Sequence, residues 1–203
     1  LNCLSQSETP VNQTNAQGHK QGHWIKKYPG GAVQYEGFFK DDHPVGEFRR
    51  YYEDSRLMSV LVYSGDGREA DATIYHPNGF IASKGKYVNQ LKEGKWKFYS
   101  AALEGYLINE EEYTNNVRNG LSVKFYTDGK VAEKLSYING SREGEWIQYF
   151  ASGRVFIRSF YKNDMLNGSF DVFFENGNKQ FTGTYINNVR EGTWLIGDEN
   201  GSV

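Results

Sequence analysis

Histidines, carboxylates and a single cysteine are the groups in this chain that could do chemistry, and their spacing decides what each can do. His19 and His23 stand four apart and would share a helix face, where they could begin a metal site. The surrounding QGHKQGHW is glycine-rich and leads into a run of strand character, so no metal is expected there. Asp41-Asp42-His43 occupies a turn position and reads as solvated turn residues. Glu110-Glu111-Glu112 sits on an alternating strand, so its members cannot all face one pocket and are expected to be exposed. Gly65-Asp66-Gly67 hints at calcium, but no acid follows at the spacing of a calcium loop. Asn12, Asn139, Asn167 and Asn200 stand in N-x-[ST] sequons, and for the three Asn-Gly-Ser cases turn chemistry is the better reading. Cys3 is the only cysteine, which rules out an intrachain disulfide. Near a mature N-terminus it could carry a lipid, but Asn2 is not the small residue such sites have before the cysteine, so an inert thiol is expected. No catalytic residue, metal or cofactor is expected.

The elements that would position any site are set by a repeat. Gly22, Gly46, Gly94, Gly120, Gly144, Gly168 and Gly192 each open a similar phrase, with Ala70 in the gap, and the steps are 24 residues apart from one of 26. Seventeen positions after each anchor comes a ring: Phe39, Tyr63, Tyr87, Tyr137, Tyr161 and Tyr185, joined by Tyr113 once a two-residue insertion is allowed. Two positions after the anchor stand Trp24, Phe48, Trp96, Trp146, Phe170 and Trp194, with Ala72 and Ser122 as exceptions. Residues 22–203 therefore hold about seven and a half repeats of 24 residues, after a polar tail at 1–21.

Within Gly144 to Asn167, two runs rich in β-branched and aromatic residues alternate with turns, so each repeat is predicted to be a β-hairpin. Gly and Asn recur too often for helices of ordinary length. A four-residue first turn pairs position +6 with +11 and sets +2 opposite +15, which is Gly37, Gly85 or Gly183 in three repeats, so that a ring covers a small neighbour. That register groups Trp146, Phe150, Val155 and Tyr161 on one apolar face. The other face mixes Tyr51, Phe125, Tyr149 and Phe173 with Lys84, Lys134, Arg158 and Thr182, and should meet water. The expected fold is all-β, an elongated single antiparallel meander of stacked hairpins.

The composition of 203 residues is 16% aromatic, with 15 Tyr and 13 Phe but only two Met, so burial relies on flat rings. A net charge of -2, from 23 basic and 25 acidic residues mixed along the repeats, speaks against nucleic acid as a partner. No apolar stretch approaches the roughly 20 residues of a membrane helix. The chain begins with Leu, which leads to the expectation of a removed signal peptide and an extracytoplasmic setting, with the cytoplasm as the alternative.

The phrase G-x-W-x-x-[YF]-[YF]-x-x-G-x-[LVI] at 144–155, with YING…EG at 137–144 and YINNVREG at 185–192, resembles the membrane occupation and recognition nexus (MORN) repeat. It is most similar to the longer bacterial variant of the YwqK-type antitoxin family. The resemblance spans residues 22–201 and implies an elongated, twisted antiparallel sheet used for interaction, sometimes with membrane lipids. Repeats three and four depart from it through Ala70, Ala72 and the insertion in SAALEGYL.

Trp24, Tyr28, Phe48, Tyr52, Trp96, Trp146, Phe150, Phe170, Phe174, Tyr185 and Trp194 form the candidate binding groove. Their alternative role is to stack hairpin on hairpin. A groove of contiguous rings unbroken by charge would mark a non-enzymatic scaffold that binds a protein partner, in an immunity-like role by the resemblance. The alternative is a lipid- or glycan-binding surface at the cell envelope. Terminal Trp24 and Trp194 are expected to be more accessible than Trp146, with the tail able to cap one end.

Overall fold

The computed structural model describes residues 10–202; Cys3 and most of the lipid-attachment question lie outside them. The described residues hold sixteen β-strands and no helix, in two compact units, Leu1–Gln90 and Leu91–Val203. The first unit contains β1 (Gln13–Thr14), β2 (Lys20–Lys27), β3 (Val33–Lys40), β4 (His43–Tyr51), β5 (Leu57–Ser64), β6 (Glu69–Tyr75) and β7 (Ile81–Val88). The second contains β8 (Leu91–Tyr99), β9 (Leu107–Thr114), β10 (Val117–Phe125), β11 (Val131–Ile138), β12 (Ser141–Tyr149), β13 (Val155–Lys162), β14 (Met165–Phe173), β15 (Lys179–Ile186) and β16 (Val189–Ile196). Within each unit every strand runs antiparallel to its sequence neighbour in chain order, giving an open all-β meander of hairpins.

Two turn chemistries alternate. At most hairpin tips a four-residue turn is closed twice, as where Gly153 N–H donates to the Phe150 carbonyl and Phe150 N–H to the Arg154 carbonyl, both at 2.8 Å; the two-residue insertion lengthens the tip between Ser100 and Tyr106. Gly153 has φ 91°, the left-handed conformation that glycine adopts without strain. Asp54, Asn78, Asp128 and Asn176 brace the equivalent turns by accepting the backbone N–H two residues on. Between most hairpins the turn has two residues, both at positive φ, as in Asp41-Asp42, Asn115-Asn116, Asn139-Gly140, Asn163-Asp164 and Asn187-Asn188. That is the geometry of a type I′ turn, and Asn, Asp and Gly tolerate it best.

The anchor glycines have a backbone reason. Gly46, Gly120, Gly144, Gly168 and Gly192 all have positive φ, and each lies where the ladder to the preceding strand shifts register through a bulge. Ala70 is the one anchor that is not glycine, and β5 pairs with β6 from Ser59↔Ile74 to Ser64↔Glu69 with no shift. Alanine resists positive φ, so the bulge disappears together with the glycine.

The predicted +2/+15 register is present as Trp24↔Gly37, Ala72↔Gly85 and Phe170↔Gly183. The ring lying over Gly37 and Gly183, however, comes from the following hairpin. A Cβ on Gly37 would stand 2.1 Å from Phe48, and one on Gly183 would stand 2.2 Å from Trp194. Large side chains thus face small ones at many of these cross-strand pairs: Trp24↔Gly37, Gly37↔Phe48 and Leu61↔Ala72 in the first unit, and Trp146↔Ser159, Ser159↔Phe170 and Phe170↔Gly183 in the second. The buried apolar residues are Phe48, Leu61, Ala70 and Ala72 in the first unit, and Trp96 and Leu135 in the second.

Near the tips the predicted register is wrong. Tyr149 pairs with Val155 across a bulge, and Phe150 lies outside β12 within the turn. Its ring packs on Phe156 at 4.8 Å, so Phe150 does not belong with Trp146 and Tyr161, whose rings meet at 5.6 Å. The left-handed residue closing the turn adds one position to the second strand, which the alternation count had ignored.

Candidate functional site

The +2 and +17 rings pack against one another in runs within each unit. In the first unit Trp24 meets Phe39 at 6.1 Å, Phe39 meets Phe48 at 5.6 Å, and Phe48 meets Tyr63 at 6.2 Å. In the second, Trp146 meets Phe170 at 6.5 Å, Phe170 meets Tyr185 at 5.3 Å, and Tyr185 meets Trp194 at 5.1 Å. Edge-on and tilted pairs of this kind are favourable for aromatic quadrupoles. Phe48 is 6% exposed and Trp96 is fully buried, whereas Trp24, Trp146, Phe170, Tyr185 and Trp194 are half-buried.

The remaining candidate rings act as latches at the hairpin tips. Tyr28 donates its hydroxyl to the Tyr51 carbonyl at 2.9 Å, and Tyr52 donates to the Tyr75 carbonyl at 3.2 Å. In the second unit Tyr106 reaches the Phe125 carbonyl and Tyr126 the Tyr149 carbonyl in the same way. Phe150 and Phe174 take the equivalent place without a hydroxyl. At the opposite ends the inter-hairpin turns are stapled by side chains: Asp42, Asp164 and Asn188 accept the backbone N–H of Lys20, Arg142 and Leu166.

The expectation of an aromatic face unbroken by charge is corrected by a row of cations two positions before the anchors. Lys20 Nζ stands 4.9 Å from the Trp24 ring centre, and Lys92 Nζ stands 4.8 Å from those of Trp96, Phe98 and Tyr113. Arg118 lies 4.6 Å over Tyr137, Arg142 4.2 Å over Tyr161, and Arg190 4.5 Å over Trp194. These are cation–π distances, with the alkyl stems laid along the rings. Burial pushes the Lys92 ammonium below its ordinary pKa, while Glu111 opposes that shift. The pattern was legible in the sequence as a basic residue opening most repeats, but composition averages it against the acids of the other face.

The three glutamates at 110–112 are not exposed as expected. Glu110 takes Lys95 and Lys97, Glu111 takes Arg118, and Glu112 accepts the Leu121 N–H. Cross-strand neighbours supply the cations, which a linear reading does not show. Trp24 donates to the Gln13 carbonyl on β1 at 3.1 Å, and the Trp194 nitrogen is buried with no hydrogen-bond partner.

Repeat three opens a cavity of about 220 Å³, lined by Arg50, Ser59, Leu61, Tyr63, Arg68, Ile74, Tyr87 and Gln90. Burial raises the pKa of both phenols, with Arg50 pulling the other way. His19 pairs with Asp42 at 2.6 Å and His23 stacks on Phe38 at 5.0 Å. Asp66 pairs with Arg68. Among the described residues no three His, Cys, Asp or Glu side chains are grouped to hold a metal ion.

The sequence comparisons fit this geometry. Residues 118–139 and 142–163 match a family described as MORN repeat variant. Each matched stretch begins at the ring-covering arginine, Arg118 or Arg142, spans one hairpin, and ends on the first turn residue, Asn139 or Asn163. No curated protein matches the chain. Among solved structures, the crystal structure of TarM is similar at 10% identity with a TM-score of 0.36, over 48% of this chain and 19% of that one. The hairpins at 118–139 and 142–163 are thus MORN-type repeats, set in a meander that writes the same 24-residue unit before and after them.

Proposed function

We propose that the protein is a non-enzymatic interaction scaffold, whose aromatic face engages an acidic partner protein. The observation carrying this reading is the row of Lys92, Arg118, Arg142 and Arg190 over the rings of Phe98, Tyr113, Tyr137, Tyr161 and Trp194 in the second unit, all of them half-buried. A flat surface offering rings rimmed by cations combines the aromatic and arginine character enriched at protein interfaces with a charge that selects and steers an acidic partner. The MORN repeat match supports an interaction role in general, and an immunity-like role is the narrower form of the proposal.

The same cation row favours a second reading, in which the face lies against an anionic membrane or glycan surface. The two readings separate experimentally. Co-sedimentation with vesicles of phosphatidylglycerol, against phosphatidylcholine, tests the membrane. Affinity capture followed by titration of the purified partner tests the protein reading. Under the protein reading, Arg118→Ala and Arg142→Ala weaken the partner's binding, whereas Lys134→Ala on the other face leaves it unchanged. Sedimentation with phosphatidylglycerol alone and no protein partner would replace the first reading by the second.

A further inference from the structure

The cavity in repeat three has a structural origin that also indicates what fits it. One repeat earlier, Phe48 is surrounded by Tyr35 at 5.1 Å, Phe39 at 5.6 Å and Tyr63 at 6.2 Å, and it lies over Gly37. Advancing each of these by one repeat of 24 gives Ser59, Tyr63, Tyr87 and Leu61, and all four line the cavity. The residue equivalent to Phe48 is Ala72. The cavity therefore occupies the place of the ring that repeat three lacks, with Leu61 filling only its base. Cavities of about 150 Å³ with apolar walls take up benzene, so about 220 Å³ suits a ring with a small substituent.

The substituent follows from charge. Arg50 and Arg68 line the cavity and no acid does. Among the described residues no carboxylate lies within ion-pair distance of Arg50, and the Arg68 pair with Asp66 is solvent-exposed and weak. Ser122 marks the other repeat without a ring, and there the chain supplies its own anion. Glu111, only 14% exposed and paired with Ser122 across the strands, accepts the Tyr113 hydroxyl and faces Arg118 at 3.7 Å. In repeat three the position of Glu111 is held by Leu61, while the tyrosine and the arginine remain as Tyr63 and Arg68.

We propose that this cavity binds a small organic acid, a carboxylate borne on an aromatic or alicyclic ring. The ring takes the place of the Phe48 equivalent between Tyr63 and Tyr87, and the carboxylate is met by Arg50 together with Arg68, which stands where Arg118 faces Glu111. A guanidinium matches a carboxylate with two parallel hydrogen bonds, and a tyrosine hydroxyl can add a third. The proposal goes beyond the scaffold reading and does not depend on it, since the cavity lies within the first unit and needs no macromolecular partner.

The test uses the whole chain and benzoate, with benzyl alcohol and phenyl phosphate as comparison probes. Binding is read from the aromatic ring signals of Tyr63 and Tyr87 in NMR titrations, assigned through Tyr63→Phe and Tyr87→Phe. Benzoate is expected to shift these signals saturably, and Arg50→Gln to weaken it about tenfold, as loss of a charged hydrogen-bond partner implies. The double variant Leu61→Gly with Ala72→Phe recreates the Gly37 and Phe48 pair, and is expected to abolish binding while keeping the strand spectrum. If that variant does not fold, Arg50→Gln combined with Arg68→Gln serves in its place. The proposal is overturned by the absence of any shift up to about 20 mM benzoate, by binding unchanged in Arg50→Gln, or by equal affinity for benzyl alcohol. Tighter binding of phenyl phosphate overturns the carboxylate assignment.

Discussion

Exchanging the bulk of Phe48 and Gly37 is the sharpest test of the alternating row. Phe48 is 6% exposed and packs against Tyr35, Phe39 and Tyr63, so Phe48→Ala should cost about 3 to 5 kcal/mol through lost burial and the cavity left behind. Gly37→Leu should cost about 1 to 3 kcal/mol by overpacking, because even a Cβ there would sit 2.1 Å from the Phe48 ring. The strand φ at Gly37 is ordinary, so backbone strain adds nothing. Nature has written the swapped pair one repeat later, where Leu61 faces Ala72. The double variant Gly37→Leu with Phe48→Ala should therefore recover stability beyond the sum of the two losses, with a coupling of about 1 to 3 kcal/mol. Guanidinium titrations give the free energies, and hydrogen exchange over residues 33–64 shows that the change is local, as expected of a repeat array. Additive losses, with a coupling below about 0.5 kcal/mol, would show that the row is not a complementary packing unit.

Trp96→Ala should cost more than Trp146→Ala, roughly 3 to 5 against 1 to 3 kcal/mol, because only Trp96 is fully buried; denaturant melts check the order. Gly46→Ala should lose about 1 to 2 kcal/mol from its φ of 63° although nothing crowds its Cβ, and the same assay should find Ala70→Gly far milder. Burial raises the pKa of Glu133, but hydrogen bonds from Gln148, Lys124 and Trp146 outweigh it and hold the carboxyl below its ordinary 4.5. A depressed folded pKa stabilises above the unfolded value and fades as pH falls through the folded one, so acid melts of Glu133→Gln should show a shallower loss of stability below about pH 4.5.

The period, the hairpins and their turn chemistry were readable in the residues because each is local. Glycine every 24 residues marks a positive φ, and Asn or Asp marks the two-residue turns, so a linear pattern carries the backbone directly. The +2/+15 register followed as well, since alternation along a strand is strict away from bulges. It failed at Phe150, where the turn adds a residue to β13 and shifts the count.

What the sequence alone determined is the repeat, the all-β class, and the ring that each unit contributes, because these depend on conformational preferences within about a dozen residues. Only the tertiary structure decided which hairpin's ring covers which glycine, that Lys92, Arg118, Arg142 and Arg190 lie on the rings, and that the acids at 110–112 are paired. These depend on contacts between neighbouring strands, where the bulges at anchor glycines such as Gly46, Gly120 and Gly144 set the offset. The same holds for repeat three. Ala72 was visible as a departure, but it became a cavity beside Arg50 and Arg68 only when folding set the neighbouring strands around the place of the absent ring.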